Sequence, residues 1–186
     1  MAYLNDFMTR LDLKALLDYI EAHGRVVSYA KGQAIVAEGQ LCRLMGVVKS
    51  GYFKFTSLTS GGDEVVTGFS FEGEVVFDYV HTFMQQQPSL STIKAGCDCE
   101  LKQVSLAEAR EYVLSRCPGF IEKASSVLLA EAYQRYINMK IKSPAERYAE
   151  LIQRRDGVVD ILTLAETASF LGISRRHLQR IREAYK

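Results

Sequence analysis

The sequence contains no long hydrophobic run. Its uninterrupted apolar stretches extend over only a few residues, whereas a helix that spans a bilayer needs about 20. The segment "MAYLNDFMTRLDLKALLDYIEAHG" has neither the basic start nor the apolar stretch of a secretory signal. Its apolar positions predict an amphipathic helix instead: Leu4, Phe7, Met8 and Leu11. We therefore expect a cytoplasmic protein with no membrane partner.

Residue types that hold metals are scarce. The chain has three histidines and four cysteines, and only His81 falls in the predicted β-region, whereas a cupin-type metal site needs two or three histidines and a carboxylate. Cys97 and Cys99 lie on one face of a predicted strand. Two thiols lack the pattern of a structural zinc site, so we favour small core residues over a metal or redox pair. Neither a serine–histidine–acid arrangement nor a catalytic pair of carboxylates can be assigned in the sequence. We therefore predict that the protein has no metal site and is not an enzyme.

Positive charge is concentrated in the last twelve residues. The chain of 186 residues has a net charge of +1, and 48% hydrophobic and 24% charged residues are ordinary globular values. Residues 175–186 contain five basic residues and one acid, a local charge of +4, so residues 1–174 carry −3. A local basic cluster suits a polyanionic partner. Judged by charge alone, a solvated tail is an equally good interpretation of these residues.

Residues 26–105 have the pattern of short strands. In "GYFKFTS", Phe53 and Phe55 alternate with Tyr52, Lys54 and Thr56. Glycines recur between the apolar segments, and "TSGGDE" at 59–64 is a hairpin turn signal. Many short strands with regular turns predict a small barrel or jelly-roll sandwich.

Helical patterns follow the strands. Ser105 and Glu108 are spaced as a capping box of a short helix, and Pro118 starts the longest helical segment. The apolar positions of that segment cover more than one stripe, so one side is predicted to pack on the barrel and the other on a second copy of the chain. The alternative is that a neighbouring domain of the same chain covers that side. The predicted dimer interface consists of Val127, Ala130, Tyr133, Ile137 and Ile141.

Ser143 and Pro144 mark a domain boundary. Serine is a good N-cap, proline suits the first helical position, and Glu146 lies in the first turn. The sequence thus predicts an α+β protein with three parts: a barrel at 1–117, a dimerisation helix at 118–142 and a C-terminal helical domain at 143–186.

The segment "LTLAETASFLGISRRHLQRI" predicts a helix-turn-helix. Thr163 and Glu166 form a capping box, Gly172 ends the first helix where a positive φ is needed, and Ser174 caps the second helix. The shared core is predicted to contain Leu164, Ala168, Leu171, Ile173, Leu178 and Ile181, while Thr167 takes a position that is usually apolar.

The outer face of the second helix is predicted to meet DNA. In this motif the second helix enters the major groove, with its first turns nearest the bases. Arginines there can bind guanine, while Arg180, Arg182 and Lys186 suit phosphates. A helical pair used only for protein contacts is the alternative. The predicted DNA-contacting set consists of Thr163, Ser174, Arg175, Arg176, His177, Gln179 and Arg180.

The order of these parts resembles the superfamily of the cyclic AMP receptor protein and the fumarate–nitrate regulators, and looks closest to short regulators of Bacteroidetes-type bacteria. The similarity covers essentially the full chain. It rests on "KGQAIVAEGQ", "VVKSGYFKF", "GEVVFDY", "SPAERYAELI" and the helix-turn-helix segment. The resemblance implies a cyclic-nucleotide-binding-like barrel that senses an effector, a long helix that dimerises, and a helix-turn-helix that binds palindromic promoter DNA.

The second helix of the motif matches the residue pattern of this family only in part. Ser174, Arg175 and Arg180 match the family's serine and two arginines. Arg176 stands where the cyclic AMP receptor has a glutamate that reads cytosine. Because an acceptor has become a donor, we expect a different operator sequence.

The predicted effector site departs further from the family. Gly73 and Glu74 match the start of its phosphate cassette, followed here by Val75. Ser89 falls near the position of the arginine that binds the cyclic phosphate. Losing a hydrogen bond to a charged group costs about 1.5–3 kcal/mol, so the resemblance implies an unknown small-molecule effector other than cyclic AMP. Tyr133, on the long helix where the family meets its ligand, completes the predicted effector-binding set.

The sequence as a whole predicts a homodimeric, sequence-specific transcriptional regulator. Its expected partners are double-stranded promoter DNA and a second copy of the chain, with RNA polymerase as a further candidate, and no cofactor is assigned. The alternative is a signalling module with the same barrel that acts through a protein partner instead of DNA.

Overall fold

The structure is a computed structural model and describes residues 4–185. Lys186, one of the five basic residues of the terminal cluster, lies outside the described residues. Eight strands are formed: β1 Arg25–Tyr29, β2 Ala34–Val36, β3 Leu44–Ser50, β4 Tyr52–Leu58, β5 Glu64–Phe71, β6 Val75–Val76, β7 Thr92–Ala95 and β8 Cys99–Ser105. The α-helices of the described residues are α1 Phe7–Arg10, α2 Lys14–His23, α3 Leu106–Arg116, α4 Phe120–Ile141, α5 Pro144–Arg154, α6 Val158–Ile161, α7 Leu164–Phe170 and α8 Arg175–Ala184, and a π-helix is formed by Tyr79–Met84.

The strands form two four-stranded antiparallel sheets, ordered β1-β8-β3-β6 and β2-β7-β4-β5. The sheets share one core, in which the rings of Tyr29 on β1 and Phe53 on β4 meet edge to face at 5.5 Å. The predicted alternation along β4 is confirmed at Tyr52 and Phe53, which belong to different hydrophobic clusters. The predicted α+β fold with a jelly-roll sandwich is therefore confirmed.

The N-terminal helical pattern becomes two short helices. We expected one amphipathic helix, but α1 ends at Arg10 and α2 begins at Lys14. The turn between them buries Leu11 and Leu13 against the sandwich core. The two helices have different partners, since α1 packs against α4 whereas α2 packs against α3 and β8.

The segment ahead of α1 is fastened to a buried carboxylate. Glu74, at the β5–β6 turn, is fully buried. It accepts hydrogen bonds from the backbone N–H groups of Leu4 at 2.6 Å, Asn5 at 3.1 Å and Phe71 at 3.0 Å, and from Asn5 Nδ2 at 2.7 Å. Burial raises the pKa of Glu74, while these N–H groups act in the opposite direction. Both carboxylate oxygens are thus engaged within the chain.

The long helix α4 begins at Phe120, two residues after the predicted start. Gly119 is its N-cap and adopts the left-handed conformation with φ 77°, which costs glycine little. Ala124 of α4 is buried against the sandwich, whereas Leu129 and Tyr133 are exposed. The helix therefore packs on the sandwich with one side only.

The C-terminal helices form a second hydrophobic cluster that includes strand residues. The predicted N-cap at Ser143 is confirmed at the start of α5, where Glu146 also completes a capping box that was not predicted, and α6 was not expected. Leu151, Leu178 and their neighbours pack in one cluster with side chains of β4 and β5, namely Tyr52, Val66, Phe69 and Phe71. The sheet β2-β7-β4-β5 consequently has buried residues on both of its faces.

The contact between Asn5 and Glu74 can be tested by unfolding. Because Asn5 is 7% exposed and donates to both Glu74 and the carbonyl of Phe69, Asn5→Ala should lower the free energy of unfolding by about 1–3 kcal/mol. The exposed Thr9→Ala in α1 serves as the control and should change it by less than about 0.5 kcal/mol. Denaturant titration measures both; equal effects would show that the N-terminal segment contributes no buried contact.

Candidate DNA-binding surface and effector cavity

Helices α7 and α8 form the predicted helix-turn-helix. Thr163 and Glu166 exchange backbone and side-chain hydrogen bonds in a complete capping box. Gly172 turns the chain with φ 66°, and the Ser174 hydroxyl accepts from the N–H of His177 at 3.2 Å. Each of these local features was predicted, because a helix end leaves N–H groups that only a few side chains can satisfy.

One face of α8 is buried and the opposite face is open. Leu178 and Ile181 are buried in the second hydrophobic cluster. Four polar side chains of the first two turns are exposed and form what we call the basic face: Arg175, Arg176, Gln179 and Arg180. Within residues 4–185, none of its three arginines takes part in an ion pair. Their charge is therefore available to a polyanion.

The remaining predicted DNA-contacting residues occupy helix ends or the margin of the basic face. Thr163 and Ser174 are exposed N-caps whose hydroxyls are engaged with backbone N–H groups. His177 is half-buried and lines a shallow groove with Ala145 and Tyr185. Thr163 and Ser174 thus lie at the N-terminal ends of α7 and α8. The N–H groups at a helix N-terminus favour the binding of phosphates.

A contact that sequence reasoning missed joins α7 to the sandwich. Glu166 Oε2 accepts from the Tyr52 hydroxyl at 2.9 Å, and Oε1 accepts from Lys54 Nζ at 3.0 Å. Glu166 is 7% exposed. Burial alone would raise its pKa, but the donors Lys54, Thr163 and Tyr52 outweigh burial and lower the pKa of Glu166 below its ordinary value. The carboxylate therefore stays ionised in the contact.

Three further contacts hold the helix-turn-helix in place. The Ser169 hydroxyl accepts from the N–H of Val66 on β5 at 2.9 Å, and the Phe170 ring lies 5.3 Å from that of Phe69. Arg147 on α5 donates to the carbonyl of Leu171 at 3.0 Å. The basic face is thus carried on a helix pair that rests against the sandwich.

A cavity of about 490 Å³ lies between the sandwich, α1 and α4. Its lining is mainly apolar, with a few polar groups that include Asp78, Ser89, Glu131 and Arg135. That size and composition are typical of small-molecule sites.

The predicted effector residues are only partly brought together. Val75 and Ser89 line the cavity, and Ser89 is buried with its hydroxyl donating to the carbonyl of Ser91 at 2.8 Å. Gly73 lies in the β5–β6 turn with φ 83°, and neither it nor Glu74 lines the cavity. Glu74 therefore differs from its predicted place in the effector site, since N–H groups of Leu4, Asn5 and Phe71 already donate to its carboxylate.

Tyr133 also differs from its predicted place in the effector site. It is 64% exposed and does not line the cavity. Successive helical residues are rotated by about 100°, so Tyr133 lies on the face of α4 opposite to Glu131, which does line the cavity. The i, i+4 spacing of Glu131 and Arg135, which suits an ion pair on one face of a helix, was the signal that could have identified them.

Cys97 lies in the connection between β7 and β8, and Cys99 is the first residue of β8, so the two thiols do not share one strand as we predicted. Cys97 and Cys99 have sulfur atoms 3.9 Å apart and are free thiols. Burial raises the pKa of the Cys99 thiol to about 11, so little thiolate is present at neutral pH. Within residues 4–185, no group of three or more histidine, cysteine, aspartate or glutamate side chains could hold a metal ion.

Comparison with known proteins identifies the sandwich. Residues 26–116 match the family of cyclic nucleotide-binding domains. No curated protein sequence matches the chain. Among the helices of the described residues, none is long and apolar enough to cross a bilayer.

Solved structures of similar fold extend over most of the chain. FixK2 from Bradyrhizobium japonicum has a TM-score of 0.70 and 16% identity, covering 87% of this chain and 83% of that one. The c-di-GMP-responsive global regulator CLP of Xanthomonas campestris has a TM-score of 0.65 and 16% identity, covering 92% and 91%. The catabolite activator protein of Thermus thermophilus has a TM-score of 0.55 and 19% identity, covering 91% and 81%.

These comparisons confirm the resemblance at the level of domain and fold. The sandwich is a cyclic nucleotide-binding domain. The chain as a whole has the fold of the transcriptional regulators of the CRP/FNR family. The narrower likeness to Bacteroidetes-type members stays a prediction.

The Glu166 contact predicts a pH-dependent effect of substitution. Because the folded-state pKa is lowered, the contact stabilises the protein above the ordinary glutamate pKa and loses this effect as the pH falls through the folded-state value. Glu166→Gln should lower the free energy of unfolding by about 1–3 kcal/mol at pH 7, and by less below about pH 4. The exposed Glu111→Gln is the control. A loss for Glu166→Gln that does not change with pH would contradict the ionised contact.

Proposed function

We propose that this protein is a homodimeric, sequence-specific DNA-binding transcriptional regulator, not an enzyme, whose sandwich senses a small molecule other than cyclic AMP. In this proposal residues 1–117 sense the effector, residues 118–142 dimerise and residues 143–186 bind promoter DNA. RNA polymerase is the further partner that such a regulator would contact at a promoter.

The observation that carries the proposal is the basic face of α8. Arg175, Arg176, Gln179 and Arg180 are exposed together on the first turns of the second helix of a helix-turn-helix. Guanidinium and amide groups at this position can reach base edges in the major groove. The solved regulators of similar fold support the same conclusion, since they include a global regulator and a catabolite activator.

We propose that a second copy of the chain packs against the exposed face of α4. We call the exposed residues of this face the apolar stripe: Leu129, Tyr133, Tyr136 and Ile141 are 71%, 64%, 56% and 70% exposed. Of the interface residues predicted from sequence, Ala130, Tyr133 and Ile141 are exposed, whereas Val127 and Ile137 are half-buried. Contiguous exposed apolar side chains mark interaction sites, and two antiparallel or parallel copies would bury both stripes.

Binding to a random duplex library would test the DNA-binding role. The purified chain should select a two-fold symmetric site whose half-sites are about one helical turn apart, with affinity that falls steeply as salt rises. Because Arg176 replaces an acceptor with a donor, the selected site should differ from that of the cyclic AMP receptor protein. Recovery of that protein's consensus would contradict the predicted role of Arg176, and purely non-specific retention with and without cell metabolite extract would contradict the proposal.

Single arginine variants separate base contacts from phosphate contacts. Arg175→Ala should relax the preference at one base pair by about 5- to 150-fold, equivalent to about 1–3 kcal/mol. Arg180→Ala should weaken binding to all sequences alike and reduce the salt slope by about 1. The exposed Arg25→Ala on β1, far along the chain from α8, is the matched control and should change neither quantity.

Charge placed on the apolar stripe should prevent dimerisation. The double variant Leu129→Glu, Tyr133→Glu would bring four carboxylates into a symmetric interface, and sedimentation equilibrium should then show a monomer that binds half-sites only weakly. Lys123→Glu, an exposed change one to two turns earlier in α4, should leave the dimer intact. A wild-type chain that is monomeric at all concentrations, with or without operator DNA, would contradict the proposed interface.

A further inference from the structure

The cavity contains a buried carboxylate with an unused oxygen. Glu131 lines the cavity and is 7% exposed. Its Oε1 accepts a hydrogen bond from Arg135 Nη2 at 2.7 Å, but nothing within residues 4–185 donates to Oε2. Buried polar atoms in folded proteins are almost always hydrogen-bonded. The unused oxygen is itself closed to solvent, so a donor supplied from outside the chain reaches it when the Glu131 side chain turns toward the cavity that it lines.

The other residues of the cavity lining favour a ligand that is lipophilic apart from its hydrogen-bond donor. Aromatic and aliphatic side chains such as Leu13, Phe77, Phe120 and Leu128 surround a volume of about 490 Å³. Burial of an apolar ligand in such a site is favourable in proportion to the apolar area removed from water. Few lining groups could satisfy several polar atoms of a ligand at once.

The charges of the lining disfavour an anion. Among the described residues, the cavity lining includes two carboxylates, Asp78 and Glu131, one guanidinium, Arg135, and the imidazole of His81. Arg135 is already engaged with Glu131 and with Asn5 Oδ1 at 3.3 Å. A phosphate would therefore enter an apolar space without a free cation, which is costly.

The ligand also does not need a positive charge to bind next to Glu131. The ion pair with Arg135 neutralises Glu131, and the Asp78 carboxylate accepts from the N–H of His81 at 3.1 Å. A neutral hydroxyl can donate to Oε2 without adding a charge to the cavity, and such a bond to a charged acceptor is stronger than one between neutral groups.

We infer that the cavity binds a neutral lipophilic molecule with one hydroxyl group, such as an alkylphenol, and that Glu131 Oε2 accepts the hydrogen bond of that hydroxyl. The inference rests on the sensor role proposed above and specifies its ligand class, but it does not depend on DNA binding.

A matched pair of probes tests the hydroxyl. Isothermal calorimetry on the wild-type full chain should show that para-hexylphenol binds at least about tenfold more tightly than its methyl ether, para-hexylanisole, because the ether lacks the donor. Cyclic AMP should produce no binding heat at micromolar concentrations. Equal affinity for phenol and ether would overturn the role of Glu131, and micromolar binding of cyclic AMP, or no binding of either lipophilic probe, would overturn the ligand class.

Variants of α4 locate the site. In Glu131→Gln the amide oxygen can still accept from Arg135, which leaves an NH₂ donor in place of the free acceptor, so the preference for the phenol should vanish or reverse. The exposed Glu122→Gln on the same helix should keep the preference, and retention of the preference in Glu131→Gln would overturn the assignment. Leu128→Trp should abolish binding of both probes by filling the cavity; unchanged binding in that variant would place the ligand elsewhere.

The readout distinguishes this inference from the proposed function. Calorimetry is performed without DNA, so a chain that binds the phenol through Glu131 but selects no operator would contradict the regulatory role alone. A chain that selects an operator but binds neither probe would contradict the ligand class alone.

Discussion

The carboxylate of Glu166 performs two structural tasks that are usually separate. It completes the capping box of α7 with Thr163, and it accepts hydrogen bonds from Tyr52 and Lys54 on the sandwich. The start of the helix-turn-helix is therefore also its point of attachment. The orientation of the basic face relative to the cyclic nucleotide-binding domain depends on this one ionised, nearly inaccessible group, with the contacts of Ser169 and Phe170 beside it.

The features that sequence analysis predicted are those determined by neighbours in the chain. The caps at Ser143, Thr163 and Ser174 and the turn at Gly172 depend on residues within four positions, and all four are found. The attachment of Glu166 could not be predicted, because its partners are more than a hundred residues away. A capping glutamate has the same sequence pattern whether its second oxygen meets water or a distant tyrosine.

At the candidate effector cavity, too, the sequence predicted only part of the site. Family resemblance directed attention to Glu74 and Tyr133, yet Glu74 is bound to the N-terminal segment and Tyr133 lies on the open face of α4. Val75 and Ser89 line the cavity, Val75 from β6 and Ser89 from the loop that precedes β7, and their role toward an effector stays a prediction. The cavity is completed by α1 and by one side of α4, and neither the packing of the first nor the rotation of the second is encoded locally.

The attachment of the N-terminal segment has a practical consequence for protein handling. Leu4 and Asn5 deliver backbone N–H groups to a buried carboxylate, so an affinity tag fused at this end would begin within a few residues of an internal contact. A tag at the other end would directly follow α8 and its arginines. The hairpin turn at 59–63 is exposed and distant in sequence from both, which makes it the suitable position for a fluorescent or spin label.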